Sequence, residues 1–427
     1  MTKIPTISEI ENAFQPAREA DEPARFAGRT QAVLDCYYAL LTAGSNIGIV
    51  GNRGIGKSSL ARQLIRMATG DNTLVQKLHI PASERIDFVS MYFACGDSVA
   101  NTEELLQRIL TRSDCLRDWI YDIPKAKAEI EVYKPKIGVS VFGLEAEKRS
   151  EIRSDKAITD HSIDVVFSNV VQAIAQQKLA KHGILIVIDE FDRIKQPAGF
   201  ASFLKALATN VPEVKFCIVG VAQDIKELMK EHESTDRLFA GSIVRLPAMT
   251  DAELSEIVRN AEKSIDEFIV FDHDATSRLV ALAQGHPYMV HLVGKFALRS
   301  AFQRNVSKIV AADVDATLKG IAERGADPVL EGRYQKAVAT SAQRESVLRA
   351  LASKISRDGE VWTTEAYKVA LDDDVDNSSQ YVGQLVTEEY GAEIEKIRER
   401  FYRFKDSLFA AYVNARPRQF TLARPIV

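Results

Sequence analysis

The chain has 427 residues, of which 46% are hydrophobic and 27% are charged, and its formal net charge at pH 7 is -4. This length and apolar content exclude a disordered tail and a small disulfide-stapled scaffold, and they predict about two to three domains with their own cores. A slightly acidic chain is not coated with phosphate-binding lysines, but it can still carry a local basic face, so net charge does not decide nucleic-acid binding.

The cysteines and the N-terminal residues bear on the cellular compartment. The four cysteines are far apart in the sequence and form no CxxC pair, which is typical of reduced thiols and not of a zinc site or disulfide frame. The first residues, MTKIPTISEIENAF, contain no apolar run of signal-peptide length, and no segment approaches the about 20 apolar residues of a membrane span. We therefore expect a soluble cytoplasmic protein with no membrane partner.

The segment NIGIVGNRGIGKSSLARQLI, residues 46–65, carries the first chemical motif. A β-branched run precedes a loop that matches GxxxxGK[ST], and helical apolar spacing follows it, which is the context that this motif requires. Glycines let successive backbone N–H groups turn toward phosphate oxygens, and the N-terminus of the following helix adds partial positive charge. The alternative is a chance glycine-rich turn between a strand and a helix.

The same motif predicts what the loop residues do. Lys57 is expected to reach the β and γ phosphates of ATP, which makes it both a binding and a catalytic candidate, and the Ser58 hydroxyl is expected to bind Mg²⁺. The predicted nucleotide-binding loop comprises Gly51, Asn52, Arg53, Gly54, Ile55, Gly56, Lys57, Ser58 and Ser59.

Two segments follow before the next motif. DFVSMYFACGD, residues 87–97, is typical of a buried strand, and NTEELLQRIL after it is typical of a helix with an Asn or Thr cap. Residues 120–156 are rich in Lys and Glu around an alternating IGVSVFGLEAE, which indicates an edge strand or small hairpin inserted into the core. This insertion is either a mobile surface segment or a surface that packs on a partner.

The segment GILIVIDEFDRI, residues 183–194, carries the second chemical motif. Its aliphatic run predicts a buried strand, and the carboxyl end of such a strand is where a parallel α/β sheet places its ligand site. Asp189 is expected to hold Mg²⁺ through its water shell, and Glu190 to orient or deprotonate the attacking water. The alternative is that these acids only cap the next turn. Asp192 is a weaker candidate, because it can face solvent or pair with Arg193.

The order of strands and helices predicts the fold class. GFASFLKALATNVP is helical, and VKFCIVGVA, residues 214–222, is a further apolar strand. The alternation predicts an α/β fold with a doubly wound parallel sheet flanked by helices. Gln223 follows this strand, where it can touch the γ-phosphate or the attacking water as a catalytic residue, or serve as an ordinary turn residue.

Together, GNRGIGKSS, VIDEFD and the following strand resemble the AAA+ and STAND division of P-loop ATPases, especially bacterial and archaeal ATPases related to origin-recognition proteins. Upstream, ARFAGRTQAV resembles the box before the first helix of these proteins, which implies that Phe26 and Arg29 lie near the adenine. The resemblance covers about residues 20–415. It implies a Mg²⁺-dependent ATPase with an AAA+-like P-loop core, an α-helical lid and a C-terminal winged helix.

Downstream segments extend the resemblance into the lid. KEHESTDRLFAGSIVRLPAMTDAEL resembles the segment that leads into the lid, which implies that Arg237 acts in trans as an arginine finger; alternatively it is a surface arginine beside Asp236. GHPYMVHLVGKFAL resembles the GxP motif of the lid, which implies that His286 and Pro287 contact nucleotide, although this histidine can also be purely structural. No second-sensor arginine is evident unless Arg278 serves, which favours a switch over a processive motor.

The C-terminal region resembles the winged helix of the same ATPases. AQRESVLRALAS, WTTEAYKVALDD and NSSQYVGQLVTEEY predict three small helices, the second with a Thr cap, and the residues after them predict a hairpin. The third helix is expected to carry Glu388 and Glu389, so phosphate contact from the hairpin is more credible than sequence reading by the helix. A winged helix used for protein contacts is the alternative. The basic residues of the hairpin are Lys396, Arg398, Arg400, Arg403 and Lys405.

These patterns predict four regions: an N-terminal arm at 1–24, a P-loop ATPase core at 25–248 with the 120–156 insertion, a helical lid at 249–330 and a winged-helix domain at 331–427. We expect an ATP-driven switch or assembly ATPase, in which nucleotide joins subunits into a homo-oligomer and hydrolysis by Glu190 resets them. The winged helix then docks double-stranded DNA or a protein effector. Family analogy suggests a bacterial defence or mobile-element setting.

Two other function classes compete with this switch. The alternative is a nucleotide-dependent DNA-binding module that resembles an origin-recognition or transposition-targeting ATPase, in which turnover is incidental. Tight, salt-sensitive duplex binding favours that module, whereas ring formation without DNA favours the switch. A small-molecule kinase leaves the lid and the winged helix unexplained, and no acceptor pocket is evident in the sequence.

Overall fold

A computed structural model describes residues 4–82, 84–96, 98–133, 162–221, 235–356 and 360–420. Gln223 and the strand predicted in IGVSVFGLEAE lie outside these described residues. The chain divides into two compact units. The helical unit comprises Met1–Arg29, Asn52–Gly56 and Pro247–Val427, and the sheet unit comprises Thr30–Gly51 and Lys57–Leu246.

The described residues form helices and strands in both units. The helices are α1 Ile7–Ala13, α2 Thr30–Leu41, α3 Lys57–Ala68, α4 Thr73–Lys77, α5 Thr102–Thr111, α6 Arg117–Asp122, α7 Pro124–Tyr133, α8 Ile163–Ala175, α9 Phe200–Asn210, α10 Asp251–Lys263, α11 His273–Ala283, α12 Pro287–Gln303, α13 Ala311–Arg324, α14 Pro328–Val338, α15 Ala342–Ser353, α16 Thr363–Leu371, α17 Ser378–Leu385 and α18 Ser407–Ala415. The strands are β1 Ile47–Gly51, β2 Val89–Ala94, β3 Ile184–Asp189, β4 Val214–Gly220, β5 Ile243–Leu246, β6 Val270–Phe271, β7 Lys308–Ile309, β8 Glu360–Trp362, β9 Ile394–Arg398 and β10 Phe401–Phe404. Short 3₁₀ turns lie at Phe191–Arg193, Thr235–Phe239 and Glu388–Tyr390. None of the described helices combines the length and the apolar character that a membrane span needs.

The sheet unit is built on a parallel sheet whose described strands follow the order β2-β3-β4-β1-β5. Every residue of β3 and β4 is buried, as the apolar runs of these segments predict, and β4 also buries the Lys215 that interrupts its run. The helices of this unit flank the sheet, which confirms the predicted α/β class. Strand β4 separates β1 from β3, so the two strands that precede the predicted site residues are next-nearest neighbours in the sheet.

The segment predicted as an insertion begins as part of the core. Residues 120–133 lie in α6 and α7 and the turn between them, where Ile123, Ala126 and Ile130 are buried in the core of the sheet unit. These apolar residues recur at helical spacing, a signal that the Lys and Glu content of the segment obscures. The first part of the predicted insertion, residues 120–133, is therefore part of the helical core of the sheet unit.

The helical unit has one continuous apolar core, to which the lid segment and the winged-helix segment both contribute. Residue 330, the expected boundary between these two regions, lies inside α14. The lid segment contains α10 to α13 and a two-stranded parallel pairing of β6 with β7. The two segments share this core and belong to one compact unit.

The C-terminal segment has the helix and strand order of a winged helix. Helix α15 is followed by β8, α16 and α17, and the hairpin of β9 and β10 completes an antiparallel sheet in the order β8-β10-β9. Glu388 and Glu389 were expected in the third helix, but α17 ends at Leu385 and they lie in the following 3₁₀ turn. The Thr cap predicted for α16 is also wrong, because Trp362 is the N-cap and Thr363 is already helical, with its hydroxyl bonded to the Arg400 carbonyl.

The N-terminal arm is a packed helix. Helix α1 begins at a capping box in which Thr6 and Glu9 bond each other's backbone N–H groups, an arrangement that stabilises a helix start. Its Ile10 side chain and the following Phe14 are buried in the core of the helical unit. Phe14 occupies the space beside Gly294 of α12, where an added Cβ would lie 2.7 Å from the ring. Only glycine therefore fits at position 294 without displacing the arm.

Candidate functional site

Strand β1 and helix α3 position the predicted phosphate-binding side chains of the sheet unit. Ile47 and Ile49 of β1 are fully buried, and α3 packs its buried face against β1 and β3. Lys57, Ser58 and Ser59 occupy the first turn of α3 and are half-buried. The N–H groups of a first helical turn have no partner within the helix and carry partial positive charge, so this turn can receive an anion.

The loop between β1 and α3 has the backbone that its glycines predict. Gly54 and Gly56 have φ values of +70° and +99°, in the region that favours glycine. An added Cβ at Gly56 would meet nothing within 4 Å, so open space lies beside this residue. Ile55 is 2% exposed and anchors the loop, whereas Asn52 and Arg53 are exposed. The loop therefore combines an anchored centre with open space for phosphate oxygens.

Gly54 is in contact with the C-terminal helix of the winged-helix segment. An added Cβ at Gly54 would lie 3.0 Å from Leu408 Cδ2 and 3.6 Å from Tyr288 Cβ. Leu408 is 7% exposed and belongs to the first turn of α18. Within the helical unit, a shift of the phosphate loop at Gly54 must therefore displace Leu408 or be resisted by it.

Arg29 is a clamp for the loop. Its guanidinium donates to the Pro247 carbonyl at 2.7 Å and to the Ile55 carbonyl at 3.1 Å, and its side chain is buried. Arg29 itself has a φ of +60°, and its backbone N–H donates to Glu253 of α10 at 2.7 Å. The resemblance places Arg29 near adenine, but two of its donors are already bound to backbone carbonyls. Phe26, the other residue of this box, is 4% exposed.

Asp189 ends β3 as a buried carboxylate with both oxygens engaged. Its side chain is 2% exposed; Oδ2 accepts the Tyr92 hydroxyl, and Oδ1 accepts the backbone N–H of Glu190 at 2.7 Å. Hydrogen bonds to both oxygens fix the direction of the carboxylate. A carboxylate at the end of a buried strand, held in this way, fits the role of orienting the water shell of Mg²⁺.

Tyr92 and Arg62 belong to this site but do not stand out in the sequence. Tyr92 lies on β2, which pairs with β3, and the Arg62 guanidinium of α3 stands 3.5 Å from the centre of its ring. The two-residue period of a strand is the sequence signal that could have indicated Tyr92, because it places this side chain on the face opposite Met91 and Phe93, which are buried. The two residues link the phosphate-loop helix to the Asp189 carboxylate within the sheet unit.

Glu190 has a strained backbone and a paired side chain. Its φ of +54° is rare for a residue with a side chain, and such strain concentrates at functional positions. One carboxylate oxygen lies 3.1 Å from Arg193 Nε, and 43% of the Glu190 side chain is exposed. Asp192 is exposed in the same 3₁₀ turn. Glu190 is therefore accessible to water, and Arg193 restrains its direction.

His286 is the predicted site residue with an unsatisfied polar atom. It is 4% exposed at the N-cap of α12, with Pro287 as the first helical residue, and its Nδ1 has no hydrogen-bond partner among the described residues. Burial lowers the pKa of His286 to about 4; nearby Asp406 opposes this shift and Arg29 adds to it. A buried nitrogen without a partner is costly, so it fits a contact with a bound group such as a nucleotide base.

The remaining arginine candidates lie at the surface. Arg237 is exposed in the 3₁₀ turn before β5, which is compatible with reaching another subunit. Arg278, the one residue considered as a second sensor, pairs with Asp315 of α13 at 2.8 Å. That pairing occupies its Nε within the lid segment.

Burial of two histidines predicts acid sensitivity of the helical unit. The pKa values of His286 and His291 are lowered by burial from 6.5 to about 4, so the unfolded chain binds protons more tightly than the folded one below pH 6.5. The contribution of each neutral imidazole to the free energy of unfolding is fully present above pH 6.5 and is lost as the pH falls toward 4. We expect each histidine to lower the free energy of unfolding by about 2 kcal/mol between pH 7.5 and 5.

Urea unfolding of the parent and of His291→Gln at both pH values checks this expectation. The pH-dependent loss should shrink by about 2 kcal/mol in the variant, since one titrating group is removed. Exposed His273→Gln is the matched control and should leave the loss unchanged. An equal loss in the parent and in His291→Gln would show that the buried imidazole does not cause the acid sensitivity.

Comparisons with known proteins relate this site to a family and a fold. Residues 13–389 match the family described as Novel STAND NTPase 1. The Walker-type ATPase paby2304 of Pyrococcus abyssi is similar in structure over 93% of this chain and 98% of its own, with a TM-score of 0.52 and 15% identity. At this identity the likeness shows the fold alone, which is that of a P-loop ATPase. A comparison with curated proteins finds no match.

Two other solved structures are less similar. Cdc6p from Pyrobaculum aerophilum has a TM-score of 0.46 and 12% identity, with 96% of this chain and 97% of that chain covered. The ORC2 protein of Aeropyrum pernix, in ADPNP and ADP complexes, has a TM-score of 0.44 and 14% identity, with 91% of this chain and 93% of that chain covered. The family match, by contrast, contains the phosphate loop, Asp189, Glu190 and the GxP residues. The chain therefore belongs to the Novel STAND NTPase 1 family of nucleoside triphosphatases.

Proposed function

We propose that this protein is a Mg²⁺-dependent ATPase that acts as a switch. One observation carries the proposal. Lys57 and Ser58 lie in the first turn of α3, and Asp189, at the end of β3 in the same unit, has both carboxylate oxygens held by hydrogen bonds. Lys57 would bind the β and γ phosphates, and Ser58 and Asp189 would hold Mg²⁺. The metal would offset phosphate charge during transfer. His286, Pro287 and Phe26 are proposed to contact the nucleotide, and Arg29 to shape the loop.

Glu190 is proposed as the base. Its exposed carboxylate can accept a proton from water, and the Arg193 contact at 3.1 Å restrains its direction. Asp189, by comparison, is buried, and both of its carboxylate oxygens already accept hydrogen bonds from protein donors. In this proposal Asp189 would help to hold the metal, and Glu190 would accept the proton of the attacking water.

The switch proposal rests on the contact between the phosphate loop and α18. Gly54 has Leu408 of α18 as its neighbour. A change of loop conformation on nucleotide exchange would therefore displace α18, the helix that follows the hairpin of the winged helix. A nucleotide can shift an equilibrium only by interacting differently with two states, and we propose that the contact of Gly54 with Leu408 differs between the ATP-bound and ADP-bound states. We propose that the state of the loop thereby controls docking of double-stranded DNA or a protein effector.

A second function is favoured by the basic hairpin. Lys396, Arg398 and Arg400 are exposed on or beside β9, and Lys405 is exposed after β10. Exposed cations in a cluster bind phosphate backbones without reading sequence. The alternative is therefore an ATP-dependent DNA-binding protein of the origin-recognition or transposition-targeting type, in which hydrolysis is incidental. A bacterial defence or mobile-element setting remains part of the proposal and rests on family analogy.

Steady-state ATP hydrolysis over a range of protein concentrations, with and without duplex DNA, tests these proposals. We expect specific activity to rise with concentration, because Arg237 would complete the site of a neighbouring subunit in a homo-oligomer. Arg237→Ala should lower activity by about a thousand-fold or more at high concentration, the scale of a lost arginine finger. Exposed Arg245→Ala on β5 is the matched control and should keep parental activity.

The other outcomes separate the two functions. Normal hydrolysis by Arg237→Ala at concentrations where oligomers form would contradict the proposal that Arg237 acts in trans on a neighbouring subunit. Activity that does not depend on concentration but rises with DNA would favour the DNA-binding alternative. Activity that responds to neither would leave a monomeric switch with a protein partner.

A further inference from the structure

The three-stranded sheet of the winged-helix segment carries an aromatic ledge. Trp362 of β8 and Phe401 of β10 are directly opposed, with ring centres 6.4 Å apart and planes 11° from parallel. The Arg398 guanidinium lies over the Phe401 ring at 4.0 Å. Trp362 remains 44% exposed, although burial of a large aromatic ring is strongly favourable. The ledge thus presents an open aromatic face between cationic side chains.

A cavity of about 350 Å³ is formed beside this ledge. Its volume lies within the about 300 to 1,000 Å³ typical of small-molecule sites. The residues that line it are Lys354, Ser356, Glu360, Trp362, Glu365, Arg398 and Phe401. The lining therefore combines a flat aromatic surface with charged groups, which suits a ligand that is itself part planar ring and part ion.

The charges of the lining indicate the sign of that ion. Glu360 is paired with Arg398 at 3.0 Å and with Arg403 at 3.4 Å, and Glu365 is paired with Lys368 at 2.8 Å. Because both carboxylates already have cationic partners, they offer little to a positively charged ligand, and the same pairing neutralises Arg398. Lys354 adds an exposed ammonium at the edge of the cavity. An anion is the favoured charged part of the ligand.

We propose that this ledge binds an unpaired nucleotide of single-stranded nucleic acid. A base would stack on Trp362, as bases stack on exposed aromatic side chains of single-strand binders, and its phosphates would contact Lys354 and the basic hairpin. Bases within a duplex are stacked on one another and present only their edges, so they cannot cover the ring. None of the described residues that line the cavity is a proposed ATPase residue, and the test of this site does not depend on hydrolysis.

Intrinsic fluorescence of the full chain provides the direct test. The chain has two tryptophans, Trp119 and Trp362, so Trp119→Phe leaves Trp362 as the only reporter. We expect a fifteen-nucleotide oligothymidylate to quench this emission to saturation, while the matched duplex at the same concentration does not. If Trp119→Phe fails to fold, the difference in quenching between the parent and Trp362→Phe measures the same signal.

Binding of the labelled strand, measured by anisotropy at fixed salt, tests the ring itself. Trp362→Ala should weaken binding by at least about ten-fold, whereas Trp362→Phe, which keeps an aromatic face, should stay within about three-fold of the parent. Leu371→Ala removes another exposed apolar side chain of the same segment and should have no effect. An oligouridylate strand tests whether the site distinguishes RNA from DNA.

Three outcomes would overturn the proposal. The first is equal affinity of the parent and Trp362→Ala for the single strands. The second is tighter binding of duplex than of either strand. The third is quenching of Trp362 by a trimethyllysine peptide and not by the strands, which would assign the ledge to a cationic ligand instead.

Discussion

Glu190→Gln is expected to bind ATP as the parent does and to hydrolyse it at least about a hundred-fold more slowly. The substitution keeps the size of the side chain and leaves Lys57, Ser58 and Asp189 in place, so affinity should stay within about three-fold. It removes the carboxylate that accepts the proton of the attacking water, and loss of a positioned base costs about two to four orders of magnitude in rate. Single-turnover hydrolysis and equilibrium ATP binding measure the two quantities separately.

Asp192→Asn is the matched control for this variant. Asp192 is an exposed acid in the adjoining 3₁₀ turn, and the substitution makes the same change of charge and of group. We expect hydrolysis within about three-fold of the parent, because an exposed carboxylate away from the reacting water contributes little. A small effect of Glu190→Gln, or an equal effect of both variants, would show that Glu190 is not the base.

Lys57→Ala is expected to lose nucleotide binding, with an ATP affinity at least about a hundred-fold below that of the parent. The ammonium is the one side-chain cation in the first turn of α3, and its loss leaves the phosphate charge to backbone N–H groups alone. Alanine is a strong helix former, so α3 should remain intact. A thermal shift provides a simple readout, since a ligand that binds only the folded state raises the melting temperature.

Lys181→Ala controls for the loss of one positive charge from the sheet unit. Its side chain is 67% exposed and lies 3.8 Å from Glu84, so its removal should change neither affinity nor melting temperature appreciably. ATP should raise the melting temperature of the parent and of this control, but not that of Lys57→Ala. Retained ATP binding by Lys57→Ala would remove the phosphate-loop assignment.

The parts of the site that could be predicted from the sequence are those in which the functional residues directly adjoin, in the chain, the strand or helix that positions them. The phosphate loop lies between a strand and a helix in sequence, and Asp189 directly ends an unbroken apolar strand. In both cases the local pattern determines the element and the element determines the position of the side chain. The parallel α/β sheet follows from the same alternation of apolar runs.

The parts that could not be predicted depend on contacts between distant residues. Tyr92 reaches Asp189 because β2 pairs with β3, a register that no local pattern contains. Leu408 contacts Gly54 although more than 350 positions separate them in the chain. Phe14 lies against Gly294, 280 positions away, and leaves no space for a larger residue there. Helix ends were also missed, as at α17, because the residues after Leu385 remain compatible with helix while the chain turns.

Hydrogen exchange of α18 in two nucleotide states tests the central claim most directly. Glu190→Gln, which should retain ATP, is compared with the same protein in ADP, and deuterium uptake is followed at residues 407–415. The account predicts that uptake in this helix differs between ATP and ADP, because Leu408 packs on Gly54 of the phosphate loop. Leu408→Ala should bind both nucleotides and lose most of that difference. Identical uptake of α18 in ATP and ADP, with both nucleotides shown to be bound, would contradict the proposal that this protein is a nucleotide-controlled switch.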